Sequence, residues 1–185
     1  TAIGLLLRTG AASDPVNRPG LTSMMMSMLP EGTSTRSSRQ IAEEMEFLGS
    51  HLGAETGREY VLLSAESSTS NWPAALEIVA DVVRDPTFPQ EELERLRRER
   101  IADLKRVVDD PAAVASRASR ALLYGAGTPY GHPVTGTERS VVDISRDEVV
   151  DHFARNYGAR QATLVVAGSV RGAQLPPRVE HEGGV

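Results

Sequence analysis

Histidine is the natural first candidate for metal or acid–base chemistry, because its imidazole both ligates zinc and titrates near neutrality. The chain has four, His51, His132, His152 and His181. They are far apart in sequence and no two share a helical face, so none forms the close pair that a zinc site on one helix uses. His132 falls in a glycine-rich stretch, where a loop hydrogen bond is the expected role, and His152 is expected on the exposed side of an amphipathic helix. Cysteine is absent, which removes thiolate ligands, disulfides and cysteine nucleophiles and fits a reducing compartment. Ser23 and Ser27 lie four residues apart but not in a G-x-S-x-G elbow, and no nearby histidine could serve as their base. Gly125-Ala126-Gly127 lacks the lysine and hydroxyl residue of a phosphate-binding loop.

The elements that must position these residues follow from periodicity. Residues 2–9 read as a strand and Gly10 to Gly20 as a loop. Leu21 to Leu29, apolar on nearly every side, reads as a short buried helix. Met24, Met25, Met26 and Met28 lie within it; core packing is preferred there over a peptide-binding surface. Helical spacing then runs from Arg39 to Leu48, with Gly49 at a left-handed cap position. A hairpin follows over His51–Glu55 and Glu59–Glu66. Three helices come next: one capped by Ser70 or Asn71, a charged one from Phe88-Pro89 to about Val108, and Pro111 to Tyr124. The charged helix carries candidate pairs Glu91–Arg95 and Glu94–Arg98 on a solvated face, with contact to a partner as the alternative. The loop from Gly125 to Thr137 precedes a capping box, Ser145-x-x-Glu148, and a final strand spans Gln161 to Gly168. This order predicts an α+β fold, with an antiparallel-rich or mixed sheet and helices packed on one face.

At 185 residues the chain can bury a core of one domain, and its net charge of −5 argues against a nucleic-acid partner. No apolar run is long enough for a membrane span. A cytoplasmic, bacterial-type location is the expectation.

Several blocks, in order, resemble the M16 zinc peptidases, the pitrilysin and mitochondrial processing peptidase family. Gly20-Leu21-Thr22 through Gly32-Thr33, followed by Arg36-Ser37, is similar to that family's G-x-A-H-x-x-E-H-M-x-x-x-G-T and R-S. Ile41-Ala42 to Leu48-Gly49 and Ala80-Asp81-Val82 to Phe88 resemble its next helices. Pro129-Tyr130-Gly131 with Pro133-Val134-x-Gly136-Thr137 resembles its P-Y-G-x-P-x-x-G-T loop, and Ala162 to Gly168 its closing strand. The resemblance covers most of residues 1–170, leaving 171–185 as a tail. It implies units that work in pairs or fours, two halves enclosing a chamber in which an extended peptide is cut.

Aligned on Gly32-Thr33, the two histidine positions of the inverted zinc motif fall on Ser23 and Ser27 and the catalytic glutamate on Met26. The later acidic ligand falls near Ala102-Asp103, with Asp103 as the candidate remnant. Hydroxyl groups are poor zinc ligands and a thioether cannot act as a base. The resemblance therefore implies a non-catalytic half that binds no cofactor itself, with zinc only in a catalytic H-x-x-E-H half or subunit. A structural or assembly protein of the same fold is the alternative. A strand before Thr1 and further elements after Gly168 are expected in a complete unit, so an incomplete one is anticipated. Its bared edge would invite pairing with another copy.

Overall fold

The computed structural model describes residues 1–158 and 161–169. The tail over 171–185 and His181 lie outside the described residues. The run Ala2–Leu7 forms β1, with Ile3 and Leu7 only 2% and 3% exposed. β2 (Leu52–Thr56) and β3 (Val61–Glu66) form the hairpin, and β4 (Ala162–Ala167) pairs with the other side of β1. The sheet order is β2-β3-β1-β4, and every pairing is antiparallel. Register places Ile3, Leu5 and Leu7 opposite Ala65, Leu63 and Val61 on one side. On the other side they face Val166, Leu164 and Ala162. With a side-chain period of two, these residues share one face. Helices α1 (Leu21–Met28) and α3 (Trp72–Arg84) pack on the sheet, burying Met24, Met28, Trp72 and Val79. The α+β class with helices gathered on a single face is thus the observed architecture.

Local chemistry explains the helix boundaries. α2 (Ser38–Phe47) starts one residue earlier than the periodicity suggests, because the Ser37 side chain accepts from the Gln40 amide in a capping box. It ends at Gly49, whose φ of 63° permits the left-handed cap. The Gly49 and Ser50 amides donate to the Glu46 and Met45 carbonyls, closing the last turn. α4 (Gln90–Arg106) is the charged helix, and α5 (Pro111–Tyr124) has the bounds its Asp110 cap, Pro111 and Gly125 predict. α7 (Arg146–Asn156) follows the Ser145–Glu148 capping box. The ion pairs of α4 differ from the spacing-based expectation. Arg95 contacts Glu92, Glu99 and Glu31, and Arg97 contacts Glu94. Arg95 thus makes its i, i+4 pair with Glu99 rather than with Glu91, and Glu31 reaches it from the turn after α1.

One helix has no counterpart among the elements that periodicity predicts. α6 (Glu138–Asp143) lies between the glycine-rich loop and α7, capped by a Thr137–Ser140 box. Six residues are too few to display a period, and α6 relies on a partner at its far end. The buried Arg97 guanidinium donates to the Val141 carbonyl, to that of Val142 at 2.6 Å and to that of Ile144 at 2.6 Å. It occupies the end of the helix where unpaired carbonyls and dipole both favour a cation.

Replacing Arg97 by Leu strands these carbonyls, and a loss of about 2–4 kcal/mol is expected in urea denaturation. Ser145→Ala, which removes one cap, is expected to cost about 1 kcal/mol. Equal midpoints for the two variants would show that Arg97 does not anchor α6.

Candidate functional site

Helix α1 places Ser23 and Ser27 on one face, one turn apart, with the Ser27 hydroxyl donating to the Ser23 carbonyl at 3.0 Å. Facing them from α4 is Arg100. Its Nη1 donates to Ser23 Oγ at 2.7 Å and its Nη2 to Ser27 Oγ at 3.2 Å, so one planar fork bridges both hydroxyls. Burial pulls the Arg100 pKa below its ordinary value while Asp103 opposes the shift, and arginine stays charged regardless. Met26 turns inward instead. It is 1% exposed and packs in the core with Met24, Met25 and Met28, which satisfies the core reading of the methionine run.

The later helix contributes differently from the residue named in the sequence. Leu93, Arg97 and Leu104 mark the inward side of α4, and Arg100 lies with them. Ala102 and Asp103 are exposed, and the Asp103 carboxylate pairs with Arg106. The site therefore joins Ser23 and Ser27 to Arg100, with Met26 beneath and Asp103 outside. A divalent cation does not fit this donor set: both hydroxyls already accept from a guanidinium whose charge would repel it. Among the described residues, no group of three or more His, Asp or Glu side chains could hold a metal. Neither serine hydrogen-bonds to a histidine among the described residues, so the geometry offers no activated nucleophile.

A second buried network fixes the start of α1. Asp14 accepts from the Gly20 amide at 2.7 Å, the Thr22 amide at 2.8 Å and the Thr22 hydroxyl at 2.6 Å. His152 completes it, 2.8 Å from Thr22 Oγ1 through Nε2 and 3.1 Å from Asn156 Nδ2 through Nδ1. Nδ2 of Asn156, which also donates to the His152 carbonyl at 3.0 Å, can only donate, so Nδ1 accepts and Nε2 carries the proton to Thr22. His152 is 5% exposed, which corrects the expectation of a solvent-facing side chain. The loop carrying Asp14 folds over that side of α7, and no helical period within α7 can report it. His132 behaves as a loop hydrogen-bonder. Its Nδ1 is 3.2 Å from the Pro133 carbonyl, and its own carbonyl accepts from Arg58 Nη2 at 3.0 Å. His51 is exposed at the entry to β2.

The glycine-rich loop is tied to the same helix terminus. Gly20 (φ 95°) and Gly136 (φ 77°) lie back to back. A Cβ on Gly20 would meet Gly136 Cα at 2.8 Å, and one on Gly136 would meet the Pro19 carbonyl oxygen at 2.4 Å. Only glycine tolerates both the backbone angle and this approach.

The sequence profile described as Insulinase (Peptidase family M16) matches residues 1–138. The chain belongs to this family. A solved structure of a peptidase M16 inactive domain from Pseudomonas fluorescens is similar over 88% of this chain, with a TM-score of 0.81 and 27% identity. The match covers 40% of that structure's chain. A protease from Helicobacter pylori shares the fold with a TM-score of 0.84 at 15% identity, over 94% of this chain and 42% of its own. Among curated relatives, an uncharacterized zinc protease of Rickettsia bellii (strain RML369-C) is 26% identical over 97% of this chain. The human mitochondrial-processing peptidase subunit beta is 28% identical over 94% of it. This M16 chain spans 43% of the length of the first and 35% of the second.

The sequence carries no signal for the role of Arg100 beyond its spacing from Leu93, Arg97 and Leu104. The His152 network gives the M16 chain a defined acid response. Burial first, and then the Arg155 charge, push the His152 pKa from 6.5 down to about 4. The unfolded chain takes up a proton in that interval which the folded chain does not, so stability falls as pH drops from 6.5 towards about 4. The loss approaches about 3 kcal/mol. Asp14 opposes it in part, because burial lifts its carboxyl above the usual value and protonation then favours the fold. Urea midpoints measured across this range should flatten in His152→Gln; an unchanged slope would exclude His152 as the source.

Proposed function

We propose that this chain is the non-catalytic half of an M16-type zinc endopeptidase, closing a peptide-enclosing chamber with a catalytic half that carries H-x-x-E-H. The single observation that carries the reading is the Arg100 fork between Ser23 and Ser27, at the helix positions where the family resemblance puts imidazoles. In this reading zinc belongs only to the catalytic half, whether in the same polypeptide or a separate subunit, and Ser23, Met26, Ser27 and Asp103 take no catalytic part. The assembly works in the cytoplasm, and chain-to-chain pairing into a dimer is part of the same picture.

The chain's share in gripping an extended peptide rests on β2. This strand is an edge of the sheet, with backbone groups on its outer side unpaired by any described strand. A cavity of about 420 Å³ lies beside it, lined in part by Ile41, Met45 and Leu52. Unpaired strand backbone next to an apolar recess is the arrangement that adds a peptide as an extra strand. No helix among the described residues is long and apolar enough to cross a membrane.

The test is reconstitution. The purified chain alone is expected to take up no stoichiometric zinc and to cleave no peptide. Mixed with the H-x-x-E-H half, it is expected to raise that half's peptidase activity, with zinc assigned to the partner by metal analysis of each component. Peptide hydrolysis by the isolated chain would overturn the reading. A stable complex without proteolysis would favour an assembly role instead.

A further inference from the structure

Away from the serine helix, the exposed side of the glycine-rich loop faces α5 across a cleft of about 350 Å³. Its polar lining is unlike the rest of this acidic chain. Arg117 and Arg120 project into it from one turn of α5, and no carboxylate lines it. Neither guanidinium has a hydrogen-bond or ion-pair partner among the described residues. Ser116 and Thr135 line the same cleft with hydroxyls that make no hydrogen bond among the described residues. The amides of Val134 and Thr135 are likewise unpaired there.

Arg58 adds positive charge from behind. It donates from Nη1 to the Pro129 carbonyl at 2.9 Å and from Nη2 to that of His132 at 3.0 Å, pinning the loop that forms the cleft wall. Its pKa lies below the ordinary arginine value, through burial and then the like charge of Arg120, so the two guanidiniums feel each other. Like charges gathered on a fixed wall with no counter-charge raise the local potential and favour an anion. His132 closes the floor, 6% exposed; its Nδ1 donates to the Pro133 carbonyl, so in the neutral ring Nε2 is an acceptor and adds no donor for an anion.

We propose that the cleft between α5 and residues 131–135 binds a small oxyanion, held by the guanidinium forks of Arg117 and Arg120 and by the Ser116 and Thr135 hydroxyls. Every polar group offered to the ligand by these residues can donate a hydrogen bond, and arginine forks match the paired oxygens of phosphate and carboxylate. The volume suits a phosphate group or a short dicarboxylate rather than a folded partner. The site is independent of the proteolytic reading: it would exist whether or not a catalytic half is present.

The experiment is an NMR titration of the full chain with inorganic phosphate and, separately, with succinate, at matched ionic strength. Saturable amide shifts confined to residues 113–120 and 131–135 are expected for at least one of them. The tighter of the two then assigns the natural ligand to the phosphate or the carboxylate class. Arg117→Ala and Arg120→Ala are each expected to weaken binding about tenfold, and Arg120→Lys, which keeps the charge but loses the fork, by less. Arg98→Ala, on an exposed part of α4, should leave affinity unchanged, and thermal midpoints verify that each variant is folded. Absence of saturation with both anions, or an equal loss in the Arg98 variant, would overturn the site.

Discussion

One charged fork gives the contact between α1 and α4 its direction. Arg100 reaches two hydroxyls on adjacent turns of α1 and adds a directional link to the apolar packing of the two helices. A hydrogen bond from a charged donor is worth more than one between neutral groups, and a half-buried setting reduces competition from water. Lysine could not do the same, since its single ammonium lacks the planar geometry that meets two acceptors at once. The core below is apolar and adaptable, four methionines within one helix. Directional bonding on the outer face of α1 therefore supplies an orientation that those flexible side chains would not impose alone.

The other end of that helix is fixed by different means. Asp14 supplies a carboxylate to the helix start, and the Gly20–Gly136 approach brings the loop preceding α6 against it. Arg97 then secures the end of α6, and Arg146 donates to the Thr87 and Phe88 carbonyls where α3 passes into α4. Phe88 sits there with a φ of 47°, a strained angle for a bulky side chain, and its ring meets Phe153 edge-on at 5.4 Å. Arginines thus serve repeatedly as carbonyl or hydroxyl clamps between segments remote in sequence. This is one way a chain with only 4% aromatic residues defines its tertiary contacts.

Much of the fold could be read from the residues because it is encoded locally. The alternation through β3, the Asp110-Pro111 start of α5 and the left-handed Gly49 each act within a few positions of themselves. The pairing of Ser23 with Ser27 on one helix face is legible for the same reason, as an i, i+4 spacing beside Gly32-Thr33. What stayed hidden depends on distant partners. Arg97 and Arg100 stand in a helix crowded with glutamate and arginine, where each looks like another solvated charge. His152 looks amphipathic and exposed until a loop 138 positions earlier brings Asp14 within 3.9 Å of it. α6 is too brief to carry a period and is completed by a side chain more than forty positions away.

In a helix pair bridged by zinc, the joining charge is borrowed from solution and can be stripped by a stronger chelator. The guanidinium of Arg100 is part of the polypeptide, made whenever the chain is made. The junction of α1 and α4 is consequently indifferent to how much metal its surroundings contain. Scarcity of such an ion would leave this contact between the two helices intact.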